Sequence, residues 1–440
     1  MSRIEDHPAA RFLATLSLAA LLALGGCGGG DESPDAELSE EELAMWEEPG
    51  GRWHMQIDRQ ITDEQAEDIR RLRSIGYLAG QTAVPEESGI TVHDPERAWN
   101  GLNLYTSGDF PGAVLMDMEG NVLHRWEFDF IDAWRADPTG ELPSNTKGAG
   151  FWRRAYLYEN GDILGIYDGM GLVKVDRDSK LIWSYLEGAH HDLEVADDGR
   201  IYTVIREAHV APRINPHEPI LEDYIVVLDE DGNELTRTSV ISALENSEYD
   251  EIFESMGDSG DILHTNTVEL LDGSLARRVP GFEAGNVMIC PRELDAGLVI
   301  DLERESVVWA TTAPWVKPHQ PTVLENGDIM IFDNRGNAGA SRIIQFDPVT
   351  RDITWLYATD DPWEFYSKEC GSNQRLPNGN TLVTETDRGR AFEVTPSKEI
   401  VWEFVNPAQV VDDRGHAFIA SVFEMLRLPP DFPIEWARSE

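Results

Sequence analysis

Three histidines stand at matching places in otherwise unrelated stretches of this chain. His191 in HHDLEVADDG lies 8 residues before Gly199, His264 in HTNTVELLDG 9 before Gly273, and His319 in HQPTVLENG 8 before Gly327. An imidazole works near neutral pH as nucleophile, base or acid, so three brought together make a reaction centre. Arg292, in VMICPRELDAGLVIDL, adds a planar fork of donors that suits a tetrahedral oxyanion. A zinc site built from the three histidines is the competing reading, and a guanidinium held beside a divalent cation disfavours it. A repeat that uses histidine for a structural hydrogen bond is the blander one. Against that, the corresponding unit QRLPNGN carries Gln374 and Arg375.

The other histidines lack such a pattern. His7 lies in the leader, His54 and His93 precede the repeats, and His124 sits beside Arg125 and Trp126 as a structural residue. His209, His217 and His416 fall in loops rich in proline or charge.

The elements that must position the three histidines form a repeat. A short strand, an Asn-Gly or Asp-Gly turn and a second strand are followed by an apolar strand and one ending in tryptophan. LYENGDILGIYD precedes GLVKVDRDSKLIWSY, VLENGDIMIFD precedes RIIQFDPVTRDITWLY, and LPNGNTLVTET precedes RAFEVTPSKEIVWEF. VADDGRIYTVI and LLDGSLARR open two further units, and LNLYTSG with GAVLMDMEGNVLHRWEF is a degenerate first copy. Glycine after Asn or Asp reads as a two-residue hairpin turn. Two hairpins per unit make a four-stranded antiparallel sheet, and six units predict an all-β, six-bladed β-propeller. Ala417–Phe423 is the candidate strand for closing the ring onto the first blade. Trp183, Trp309, Trp355 and Trp402 occupy equivalent places and read as inter-blade core. In such a ring, equivalent positions at the starts of inner strands converge on the central channel.

The 440 residues carry 81 acidic and 36 basic side chains, a formal net charge of -45. That excludes nucleic acid as a partner, since phosphate binding needs a basic surface. Arg3 and Arg11 precede an apolar run, Phe12 to Leu24, that ends in Leu-Gly-Gly-Cys. The run is too short to span a bilayer and reads as an export signal, residues 1–26, with Cys27 as a lipidated first residue. A plain secretory signal with an incidental cysteine is the alternative. Residues 27–60 read as an acidic flexible tether and 61–100 as a helical segment, with a helix over Ile61 to Tyr77. Residues 101–440 are the propeller. Cys290 and Cys370 pair as a disulfide or stay as two buried thiols; spacing does not decide.

HHDLEVADDG, GDILHTNTVELL, VMICPRELDAG and KPHQPTVLENGDIMIFDN together resemble the bacterial aryl-sulfate sulfotransferases that use no nucleotide donor. The resemblance covers about Gly89 to Asp431. It implies an exported six-bladed propeller, periplasmic or at the cell surface on the outer membrane. Such an enzyme moves a sulfuryl group from a phenolic sulfate ester to a phenol through a sulfated histidine, by a ping-pong route. It implies His319 as nucleophile, His191 and His264 as supporting histidines, Arg292 as the sulfate-gripping arginine and Asn266 as a sulfate-oxygen ligand. His190 is carried as a second substrate contact, because either it or His191 faces the channel. The implied partners are aryl sulfates and phenols, with the membrane reached through the lipid anchor alone and no cofactor or metal. The oligomeric state is open, a homodimer included. An insert between His264 and Arg292, and the lack of a close cysteine pair, set the chain apart from some members. The second reading is a non-catalytic cell-surface propeller that binds anionic ligands or partner proteins.

Overall fold

The computed structural model describes residues 53–56, 87–136, 147–312, 314–361, 364–411 and 417–437. The chain divides into two units, Met1–Glu37 and Leu38–Glu440, and every described residue lies in the second. The leader, Cys27 and the helix expected over Ile61 to Tyr77 lie outside the described residues. So does most of the tether, but Trp53–Gln56 within it is a strand, paired antiparallel with Ala417–Ala420. Residues 61–100 likewise end in a strand, Gly89–His93, which adds a fifth strand to one blade beside Ile400–Val405. Among the described residues no helix is long and apolar enough to cross a membrane.

Six sheets form a six-bladed β-propeller, antiparallel except for the short strand Gly260–Asp261, which joins blade 3 in parallel. Blades 2 to 6 each run outward along the chain from an inner strand. These inner strands are Arg154–Leu157, Ala189–Val195, Thr265–Leu270, His319–Val323 and Ser372–Arg375. Blade 1 is built differently. Leu102–Ser107, Gly112–Met116 and Val122–Glu127 are its outer three strands, and Val422–Leu428 from the C-terminus supplies the fourth. The closing strand is therefore not Ala417–Phe423. That segment divides at Ser421, its first half joining the small sheet with Trp53–Gln56 and Gln409–Val411. Arg427 locks the closure: buried, it donates to Asn103 Oδ1 at 2.6 Å and pairs with Glu393 at 3.0 Å.

The repeat's turn has a specific chemistry. Gly161, Gly199, Gly327 and Gly379 have φ between 83° and 90°, a region open to glycine. In each case the glycine N–H donates to a carbonyl three residues back, as Gly161 N to Tyr158 O at 3.0 Å. The loop is thus three residues long, a type I turn ending in a left-handed glycine, rather than the two-residue turn expected. The preceding Asn or Asp folds its side chain over the turn, as Asn160 Oδ1 accepting from Asp162 N and Asn326 Oδ1 from Asp328 N.

Apolar clusters fill the gaps between adjacent blades. The repeat tryptophans join them: Trp183, Trp355 and Trp402, with Trp126 of blade 1, each donate Nε1–H to a turn carbonyl of the next blade at 3.0 Å. Trp309 instead packs edge-on against Phe282, their centroids 5.1 Å apart. Inner strands are clipped together by side chains. Asp192 accepts from Val268 N, Glu194 from Leu270 N, and Glu269 from Val323 N, each carboxylate reaching the next blade.

Candidate active site

The histidines sit where the inner strands of blades 3, 4 and 5 lose their regular pairing. Each of the three has a bulge near its start: between His190 and Leu193, Thr265 and Val268, and His319 and Thr322. The inner strands of blades 2 and 6 pair without one. His191, His264 and Gln320 have φ of 58°, 51° and 44°, a conformation that non-glycine residues adopt only where the surroundings hold it. Bulge and strained residue together re-aim a side chain that a regular strand would point elsewhere. Pro321 lies inside its bulge, at a place where no ladder hydrogen bond is asked of it.

His319 is the best-defined group. It is buried, and its Nδ1 lies 2.7 Å from Asn334 Oδ1. The amide of Asn334 can face only one way, because its Nδ2 already donates to Ser367 O and Cys370 O at 2.7 and 2.8 Å. Nδ1 must therefore carry the hydrogen, which leaves a lone pair on Nε2. Nε2 is buried with no hydrogen-bond partner. Burial first, then the charges of Arg292 and Arg153, hold His319 well below the usual histidine range. The result is a neutral imidazole with one unengaged nitrogen.

His191 and His264 meet edge to face, ring centroids 4.8 Å apart. His264 directs Nδ1 at Asp261 Oδ2, 2.6 Å away. Burial would raise the Asp261 carboxyl, but the His264 hydrogen bond and charge bring it down to about 2, so it accepts the Nδ1–H as an anion. Nε2 of His264 is left as the atom that can hold or pass a proton. His191 is different: burial, the charge of His264, then His190, Arg153 and Arg206 keep it well below the ordinary value and neutral.

His190, expected as a substrate contact, is fully buried behind His191, their Nδ1 atoms 2.7 Å apart. Arg206 Nη2 lies 2.9 Å from His190 Nδ1, to which it donates, and 3.4 Å from His191 Nδ1. Its Nε2 faces Asp223 Oδ1 at 3.5 Å. Burial and then the charge of Arg206 lower its pKa too. His190 thus abuts His191, and it is the His191 ring that meets His264. Asn266, expected to bind a sulfate oxygen, uses part of its amide within the protein. Nδ2 donates to Pro318 O at 2.8 Å, and Oδ1 accepts from Thr267. It holds the backbone just before His319.

Arg292 opens the loop after the second strand of blade 4, beside the start of the inner strand, and its N–H donates to His264 O at 3.2 Å. Its guanidinium pairs with Glu293 at 3.0 Å and Glu369 at 2.9 Å. Cys290 and Cys370 are both buried and do not pair with each other as a disulfide. They flank His319 from behind, Cys290 Sγ reaching Pro318 O at 3.4 Å and Cys370 lending its carbonyl to Asn334. Burial raises the Cys290 thiol far above its normal range, so it stays protonated. Among the described residues no group of three or more His, Cys, Asp and Glu is arranged to hold a metal ion.

Three groups were not picked out from sequence. Asp261 and Asn334 orient histidines from elsewhere in the chain and carry no spacing signal of their own. Arg153 did carry one. It lies 8 residues before Gly161, the interval that marks His191 and His319, but in blade 2 the residue is an arginine.

The neutral state of His319 is directly measurable. The NMR signal of its ring Cε1–H, identified by its loss in His319→Gln, is expected to stay at the neutral position as pH falls through about 6.5, where an ordinary histidine titrates. A midpoint near 6.5 would contradict a deprotonated Nε2. The unfolded chain takes up protons on His190, His191 and His319 near 6.5 while the fold keeps them neutral. Their contribution to stability is therefore full above that pH and is lost as pH falls through the folded-state values.

A model of the arylsulfotransferase (ASST) family matches residues 157–407. Curated proteins give no match. Among solved structures, a protein of unknown function from Bacteroides caccae aligns at 11% identity over 70% of this chain and 94% of that one, TM-score 0.45. A streptogramin B lyase aligns at 12% identity over 76% and 93%, TM-score 0.42. The WD40 propeller domain of Doa1 aligns at 12% over 78% and 96%, TM-score 0.40. The family match takes in blades 3 to 5 with all three histidines and Arg292, and covers more than half of the sequence: this chain belongs to the arylsulfotransferase (ASST) family.

Proposed function

We propose that the protein moves a sulfuryl group from a phenolic sulfate ester to a phenolic acceptor by a ping-pong route, with His319 as the covalent carrier. The observation that carries this reading is the unengaged, unprotonated Nε2 of His319, held by Asn334 at the site shared with His264 and Arg292. In the first half-reaction the Nε2 lone pair forms a bond to sulfur while the sulfur–oxygen bond to the phenol breaks. The electron pair leaves on the phenolate, whose conjugate acid has a pKa of about 10. His264 passes it the Nε2 proton, keeping Nδ1–H on Asp261. In the second half the acceptor oxygen attacks sulfur and gives its proton to His264, and the sulfur–nitrogen pair returns to His319. Atoms and protons balance over the cycle.

Sulfuryl transfer, like phosphoryl transfer, has a loose in-line transition state with charge on the equatorial oxygens. Arg292 is suited to that charge. A neutral imidazole attacks without first losing a proton, which a serine hydroxyl could not do. The apolar leader and Cys27 support an exported, lipid-anchored protein acting on small phenols in the periplasm or at the cell surface.

The test is transfer from 4-nitrophenyl sulfate to added phenol. We expect 4-nitrophenol release that depends on the acceptor, parallel lines in double-reciprocal plots, and no loss of rate with a chelator. Binding of aryl sulfates without turnover would favour the non-catalytic anion-binding propeller instead.

A further inference from the structure

We propose that Arg153 is a second guanidinium of the site, gripping the oxygens of the transferred sulfuryl group from blade 2 while Arg292 approaches from blade 4. The proposal rests on the sulfuryl-transfer reading and adds a catalytic residue to it.

Position comes first. Arg153 immediately precedes the inner strand of blade 2, its N–H bonded to Ile166 O at 2.7 Å, and has the same sequence interval to its turn glycine as His191 and His319. That inner strand has no bulge, and it is Arg154, opposite Ile166, that matches the ladder position of His319, opposite Phe332. Its neighbour Arg154 places this stretch of backbone. Arg154 Nε meets Asp192, next to His191, at 3.0 Å, and Arg154 Nη1 donates to Gln320, next to His319, at 3.4 Å. The two arginines therefore stand between the two histidine segments.

Charge makes the second argument. Four arginines are fully buried among the described residues: Arg153, Arg154, Arg292 and Arg427. Arg154 pairs with Asp192 and Glu424, Arg292 with Glu293 and Glu369, and Arg427 with Glu393. Among the described residues no carboxylate pairs with Arg153, and its Nε is buried with no hydrogen-bond partner. A buried cation without a counter-ion is costly, and a fold that keeps one in a channel beside a nucleophile is built to receive an anion there. The guanidinium lies over the ring of Phe423, 5.2 Å from its centroid, and that ring stacks on Phe151 at 4.5 Å. This aromatic shelf keeps the fork in place while leaving its donors unclaimed. The charge of Arg153 is felt by His319, the proposed carrier, and by His191, whose ring meets that of the proposed acid His264. Arg292 shares its charge with two carboxylates, so Arg153 is the less neutralised of the pair. It donates hydrogen bonds only and exchanges no proton.

The experiment is equilibrium binding of inorganic sulfate by calorimetry to the whole protein, to Arg153→Gln and to Arg153→Lys, with melting temperature and transfer rate alongside. We expect the Gln variant to bind sulfate at least tenfold more weakly and the Lys variant to fall between. The transfer kcat of the Gln variant should drop by roughly 10²-fold, with no loss of melting temperature. Should Arg153→Gln fail to fold, Arg153→Lys carries the test, because it keeps the charge but not the fork. Sulfate affinity equal across the three proteins would overturn the proposal, as would a wild-type protein that binds no sulfate. A loss confined to aryl sulfonates bearing a carboxylate, with inorganic sulfate unchanged, would place Arg153 at the far end of the substrate and overturn it too. Sulfate binding needs no turnover. A protein that holds sulfate through Arg153 yet transfers nothing would refute the transferase reading and leave this one standing.

Discussion

His319→Ala is expected to lower sulfuryl transfer by roughly 10⁴-fold or more, the scale of effect seen when a covalent nucleophile is removed. The loss should fall on kcat, since Arg292 and the channel walls that receive the donor remain. The substitution also removes the donor to Asn334 Oδ1, a buried acceptor, at a cost of about 1–3 kcal/mol. That is small for a propeller whose ring is latched by inter-blade tryptophans and by the strand Val422–Leu428. A melting curve near that of the parent, with transfer abolished, separates a chemical role from a structural one. A variant that keeps transfer within tenfold of the parent would remove His319 from the reaction.

Arg292→Ala is expected to reduce kcat by roughly 10²–10³-fold, as for loss of a donor aimed at developing oxyanion charge. Whether that reduction reports chemistry depends on what the fold loses with it. Arg292 bridges two carboxylates, but neither is left alone. Glu369 also pairs with Arg335 at 2.9 Å and Lys368 at 3.0 Å, and Glu293 pairs with Lys317 at 2.6 Å. The network closes around the gap, so the stability change should be small and the kinetic loss large. Lysine in its place should restore only part of the rate, because a point charge cannot span two sulfuryl oxygens. Full rescue by Arg292→Lys would mean that charge alone, without the fork, is what the site uses.

The blades were legible because most carry their own local signal: an Asn or Asp that folds over its turn, a glycine with positive φ, or an outer strand with tryptophan, the last missing from blade 3. The closing strand was not. Val422–Leu428 pairs with Leu102–Ser107 across more than 300 residues, and nothing in its pattern distinguishes it from Ala417–Ala420 just before it. The extra strands Gly89–His93 and Trp53–Gln56 were hidden for the same reason, their partners lying at the far end of the chain.

At the site, the spacing to the turn glycine picked out His191, His264 and His319 because the repeat turns sequence position into position around the channel. What it could not read was orientation. His190 and His191 are adjacent, and the bulge after His190 decides which of them meets His264. The resemblance implied Asn266 as a sulfate-oxygen ligand, and nothing in the sequence signalled that its amide also bonds Pro318 O and Thr267. Arg153 shared the diagnostic spacing and was passed over because its side chain differs in kind from the histidines.

The measurement that bears most directly on the central claim is intact-mass and peptide analysis of the protein after brief exposure to 4-nitrophenyl sulfate without acceptor. The account predicts one acid-labile sulfuryl group per chain, on His319, discharged on adding phenol. Acceptor-dependent turnover that leaves no adduct on His319, or an adduct on another residue that phenol discharges at the catalytic rate, would contradict it.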